Sequence, residues 1–123
     1  MKVLGLDHVQ LAMPKGQEDS ARVFYGGLLG LKEIPKPSEL ASRGGVWFEC
    51  GALQLHLGVE ESFVPARKAH PALLLAGYEA FVAKLAQAGL SVKPDTTVPG
   101  LRRAFVDDPF GNRVELVDGQ RDG

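Results

Sequence analysis

The chain has 123 residues, 45% apolar and 24% charged, with a net charge of −1 and no block of like charges. That length suits one domain, or two half-size modules sharing a core, and the even charge argues against nucleic acid or a membrane surface as the partner. No apolar run approaches the roughly 20 residues of a spanning helix, and no basic segment precedes an apolar one at the start, so the sequence reads as cytoplasmic.

In chain order, Leu4 to Met13 alternates like a half-buried strand, with His8, Gln10 and Ala12 on one face and Val9, Leu11 and Met13 on the other. After the break at Pro14-Lys15-Gly16, Glu18 to Tyr25 reads as a helix. Its apolar stripe is Ala21, Phe24, Tyr25 and Leu28, acidic residues occupy its first turn, and Gly26-Gly27 is expected to stop it. Strands follow at Leu31 to Ile34, Gly45 to Cys50 and Leu53 to Gly58, the last two joined by a tight Gly51-Ala52 turn. Cys50 has no second cysteine to pair with and sits in an apolar run, which predicts a buried, inert thiol.

The polar, proline-containing stretch Val59 to Ala69 is the expected linker. Beyond it the order returns: a strand from His70 to Ala76, a helix from Glu79 to Ala88 with Gly89 as its C-cap, and a strand from Leu90 to Lys93. A loop with Pro94 and Pro99 then leads to a closing hairpin, Arg102 to Val106 and Asn112 to Val117, across Asp108-Pro109-Phe110-Gly111. The tail from Asp118 to Gly123 is expected to fray. Each half is therefore β-α-β-β-β, with modules over 1–60 and 68–119 of a single domain spanning 1–123. A period of ~60 is too long for a solenoid unit and indicates duplication of a small module.

Strand parity gathers the residues able to hold a metal. Leu53, Leu55 and Leu57 form one apolar face of the fourth strand, leaving Gln54 and His56 opposite; Val114 and Leu116 do the same in the eighth, leaving Arg113, Glu115 and Val117 opposite. With His8 and His70, these positions include every histidine of the chain. The correspondence of His56 with Glu115 requires the two closing hairpins to differ by one residue in length. By the same parity Trp47 and Phe105 are candidates to line a cleft, whereas Phe24, Tyr25 and Phe48 read as core. Arg103, two residues from Phe105, is a candidate for an anionic substrate group, against the plainer reading of a surface arginine in a hairpin. Asp107-Asp108 before Pro109 reads as turn chemistry, and neither glycine pair has the spacing of a phosphate loop.

Leu6-Asp7-His8-Val9, Phe24-Tyr25 with Leu29-Gly30-Leu31, and the closing run Asp108-Pro109-Phe110-Gly111-Asn112-Arg113-Val114-Glu115-Leu116 resemble the vicinal oxygen chelate superfamily, the glyoxalase, bleomycin-resistance and extradiol-dioxygenase group. The resemblance covers Leu6 to Asp118. It implies an α+β fold in which two βαβββ modules form a cup-shaped, eight-stranded mixed sheet, and a homodimer. It also implies a divalent metal (Zn, Ni, Fe or Mn) on His8, His70 and Glu115, with His56 or Gln54 from the fourth strand. Substrate oxygens would take the open positions.

The implied function is metal-dependent isomerase, lyase or dioxygenase chemistry on a small oxygen-rich molecule, with Glu115 and His56 as catalytic groups. Substrate contacts fall to Trp47, Phe105, Arg103 and Gln54. The alternative is a bleomycin-resistance-like protein that sequesters a small-molecule drug without catalysis. Such a protein has no need of two histidines and a carboxylate on one face.

Overall fold

The computed structural model describes residues 1–120; 121–123, the end of the tail expected to fray, lie outside the described residues. The chain divides into two compact units, Met1–Pro65 and Ala66–Gly123. Eight strands among the described residues fall into two four-stranded mixed sheets, one in each unit. Among the described residues, no helix is long and apolar enough to cross a membrane.

The first unit runs β1 (His8–Met13), α1 (Glu18–Ala21), β2 (Glu33–Ile34), β3 (Val46–Cys50) and β4 (Leu53–Val59), with sheet order β1-β4-β3-β2. β1 lies parallel to β4, and β3 is antiparallel to both β4 and β2. The expected stop at Gly26-Gly27 does not occur. The helix instead widens into a π-helical segment, Arg22–Leu28, closed by the Leu29 N–H donating to the carbonyl of Phe24 at 2.9 Å. The wide turn carries the consecutive Phe24 and Tyr25 side chains inward together, 2% and 0% exposed, and throws Val23 outward. Tyr25 meets the fully buried Phe48 ring at 5.9 Å. With Leu55 and Leu57 these rings form the core on one face of the sheet, each large side chain contributing about 2–3 kcal/mol by its burial.

Glu18 stands with Asp19 in the first turn of α1, as expected, and its carboxylate also accepts the Gly45 N–H at 2.8 Å. Gly45 adopts φ 90°, and a Cβ there would stand 2.2 Å from the Leu57 carbonyl oxygen, so only glycine fits. A 3₁₀ helix over Ser38–Arg43 leads into β3.

The second unit runs β5 (Ala72–Leu75), α2 (Tyr78–Gln87), β6 (Lys93–Asp95), β7 (Arg103–Asp107) and β8 (Arg113–Asp118), in sheet order β5-β8-β7-β6. Leu85 of α2 and Ala104, Val114 and Leu116 are fully buried. Two expectations shift. β5 begins at Ala72, so His70 precedes the strand rather than opening it, although the Glu115 N–H still donates to the Pro71 carbonyl at 2.9 Å. β6 lies at Lys93–Asp95, beyond the expected Leu90 to Lys93 run, and takes Pro94 into the ladder. An edge strand tolerates that proline because one side of it has no partner to serve.

Register makes the two units equivalent position by position. His56 pairs with Gln10, two residues after His8; Glu115 pairs with Ala72, two residues after His70. Trp47 pairs with His56 as Phe105 pairs with Glu115. The closing hairpins do differ by one residue. Cys50 paired with Leu53 encloses 51–52, whereas the Asp108 N–H to the Asn112 carbonyl, 2.8 Å, encloses 109–111. The short turn uses Gly51 at φ 57°. The long one is held by the Asp108 carboxylate, which accepts from the N–H groups of Phe110 and Asn112 and from the Asn112 amide at 2.8–2.9 Å, the Asx-turn role expected of it.

Candidate functional site

The face of the first sheet opposite its core carries His8, Gln54, His56 and Trp47 together. β4 lies between β1 and β3, so His56 is flanked from both sides. The Trp47 ring stacks on it at 3.8 Å with planes 1° apart, and the His8 ring at 4.4 Å and 19°. His56 Nε2–H donates to Gln54 Oε1 at 2.9 Å. Burial first, and then the facing His8, push the His56 imidazole below its ordinary value, which favours the neutral ring. His8 is more open, and its Nδ1–H donates to the Asp7 carboxylate at 2.8 Å. That bond leaves Nε2 as the lone-pair nitrogen, the carboxylate–histidine pairing that orients metal-binding imidazoles. A ring nitrogen donates its lone pair in the ring plane. Two planes only 19° apart at this separation do not converge on a point about 2.1 Å from each nitrogen, so as stacked, His8 and His56 do not face one ion together.

The corresponding face of the second sheet carries an ion-paired network. His70 Nε2 lies 2.8 Å from Glu115 Oε1, and His70 Nδ1–H donates to the Lys68 carbonyl at 2.8 Å. With Nδ1–H donated to that carbonyl, His70 Nε2 and the Glu115 oxygen face each other at a distance that a shared proton or a metal ion can bridge. Glu115 is 6% exposed. Its other oxygen accepts from Arg103 Nη1 at 3.3 Å, while Arg103 Nη2 reaches Asp95 Oδ2 and Thr97 Oγ1, each at 3.4 Å. Arg103 is thus not a free surface arginine. Its Nε is buried without a hydrogen-bond partner, and its guanidinium lies 5.2 Å from the Phe105 ring centre. Phe105 in turn meets the His70 ring edge-on at 5.5 Å.

Among the described residues no group of three or more His, Cys, Asp or Glu side chains stands ready to hold a metal. The donor chemistry nevertheless fits one. Each unit offers an imidazole whose Nδ1–H is fixed by an oxygen acceptor, and the second adds a buried carboxylate beside it. Sequence reasoning missed Asp7, Lys68 and Asp95, which orient those donors. Asp7 adjoins His8 in sequence, a signal that was legible; Asp95 reaches Arg103 only through the β6–β7 pairing. A mostly apolar cavity of about 790 Å³ lies between α2 and the 94–103 segment, and of the candidate residues only Arg103 lines it.

Tandem βαβββ units, each closing its own four-stranded mixed sheet, define the fold class. The sequence profile of the Glyoxalase/Bleomycin resistance protein/Dioxygenase superfamily matches residues 5–116, and the chain belongs to that superfamily. A crystal structure of a glyoxalase family protein from Bacillus anthracis shares 47% identity, covering 96% of this chain and 97% of that one, with a TM-score of 0.94. Lactoylglutathione lyase from Agrobacterium tumefaciens shares 21% identity over 97% of this chain and 96% of that one, TM-score 0.76. The fosfomycin resistance protein FosX from Listeria monocytogenes, in its tetragonal form, shares 19% over 99% and 96%, TM-score 0.72. At those identities the last two show a common fold. Comparison with curated proteins returned no match.

Proposed function

We propose that the protein is a divalent-metal-dependent enzyme of the glyoxalase and dioxygenase type, acting as a homodimer on a small, oxygen-rich molecule by isomerase, lyase or dioxygenase chemistry. The observation that carries this reading is the part-buried His70–Glu115 pair at 2.8 Å, with the Nδ1 proton of His70 held by the Lys68 carbonyl. His8, His70 and Glu115 are the proposed ligands, and Gln54 offers its amide oxygen from the fourth strand. A bound divalent ion would polarise the substrate oxygens it chelates and so acidify an adjacent C–H or O–H.

The residues of the chain do the rest. Asp7 and Lys68 orient the two histidines so that Nε2 of each is the donor. The stack of Trp47 and His8 holds His56 by its ring faces, and the hydrogen bond from His56 fixes which way the Gln54 amide points. Held neutral by burial, His56 keeps Nδ1 able to accept a proton, so we assign it proton transfer rather than metal binding.

Calorimetric titration of EDTA-treated, dialysed protein with Mn, Ni, Zn and Fe(II) tests the reading. One equivalent of at least one ion per chain is expected, and binding of none of the four would sink it. The flat aromatic stack of the first unit also suits a planar drug held without catalysis. Loss of more than one molecule of ligand per chain, rather than stoichiometric capture, separates the enzyme from that binding protein.

A further inference from the structure

On the Glu115 face of the second sheet lies a separate concavity of about 230 Å³, bounded by Arg67, Ser91, Lys93, Phe105, Asp107 and Arg113. Register explains why these side chains gather. Lys93 pairs with Phe105, Phe105 with Glu115, and Asp107 with Arg113, and paired positions share a sheet face. Three of the lining residues are cations and one is a carboxylate. Asp107 neutralises Arg67 through a 3.0 Å ion pair. Arg113 is held with its guanidinium 5.3 Å from the Phe105 ring centre, and among the described residues neither it nor Lys93 has a carboxylate within ion-pair distance. Two uncompensated cations therefore converge on one small concavity.

The first unit supplies an internal control. Its residues equivalent to Arg113 and Lys93 are Gln54, paired with Glu49, and Ile34, paired with Trp47; neither is charged. The cationic concavity is thus peculiar to one of two otherwise equivalent sheet faces.

We propose that this concavity binds an oxyanion, a phosphate or carboxylate group, carried by the substrate. Arg113 and Lys93 bind it, and Arg67 is held in reserve by Asp107. Guanidinium and ammonium donors form charge-assisted bonds with either kind of oxyanion. Arg113 stands two residues from Glu115 on β8, a strand distance of about 7 Å. The substrate class that follows is a small molecule that carries both chelating oxygens and an anionic group. This assignment of substrate class rests on the metal-enzyme reading, whereas the anion site itself does not.

Titration calorimetry of the EDTA-treated, dialysed protein with inorganic phosphate, and separately with acetate, at constant ionic strength tests the site without any metal. One saturable site per chain is expected for at least one of the two probes, and the stronger one identifies the group. Arg113→Gln and Lys93→Gln are each expected to weaken binding about tenfold or more. Arg43→Gln, a change in the first unit, is expected to leave it unchanged. Asp107→Asn removes the one lining carboxylate and frees Arg67, so binding tightens several-fold, a gain that misfolding does not produce. No saturable binding of either anion, or equal affinity across all four variants, would overturn the proposal. Metal binding without anion binding defeats this inference alone, and anion binding without metal defeats only the enzyme reading.

Discussion

The two units place different chemistry on the same scaffold. At register-equivalent positions the first unit has His8, His56 and Trp47 and the second has His70, Glu115 and Phe105. In the first, three rings stack and the central imidazole spends its proton on a neutral amide. In the second, a carboxylate joins a histidine to an arginine and, through it, to Asp95. A duplicated module thus yields one half built on ring faces and one built on charge. The half built on charge is the one whose integrity depends on a single side chain.

Truncating the equivalent residues breaks the comparison most sharply. Glu115→Ala leaves both His70 and Arg103 without their buried partner, and is expected to cost about 3 kcal/mol or more. His56→Ala removes stacking and one hydrogen bond and is expected to cost about half as much. Urea denaturation of the metal-free variants compares them directly, and equal losses would contradict the contrast.

The closing turns offer a second contrast. Asp108→Ala deprives several turn donors of their acceptor in the second unit, with an expected loss of about 2 kcal/mol. Gly51→Ala puts a Cβ at φ 57° where no neighbouring atom obstructs it, so only the backbone penalty of about 1 kcal/mol applies. Thermal unfolding of the two variants should rank them in that order.

The smallest expected effect is a pH dependence. The folded state lowers the His56 value, so just below the ordinary histidine value of about 6.5 the unfolded chain binds more protons. The stability tied to neutral His56 is full above that value. It is lost as pH falls through it and levels off below the lowered folded value. His56→Gln should flatten this component in metal-free protein. A variant with an unchanged profile would remove His56 as its source.

Much of this was legible in the sequence because strand parity is strict. Leu55 and Leu57 against Gln54 and His56 assign a face whatever the neighbours do. The one-residue difference between hairpins could also be read, since Gly51-Ala52 and the Asp108 turn have distinct chemistry. What escaped depends on tertiary context. The π-helical continuation through Gly26-Gly27 follows from packing two adjacent aromatics on one sheet, which no helical period encodes. Pro94 in a strand is allowed only because β6 is an edge, and edge position is a property of the assembled sheet. The carboxylate partners of Arg103 are 8 and 12 residues away in the chain, and pairing alone brings them together.

The proposed metal ligands are His8, His70 and Glu115, and His56 is not among them. Elemental analysis of the purified wild type beside His8→Ala, Glu115→Ala and His56→Ala tests this central claim most directly. The account predicts one equivalent of a divalent metal per chain in wild type and in His56→Ala, and none in the other two. Full metal content in either His8→Ala or Glu115→Ala, or its loss in a folded His56→Ala, would contradict it.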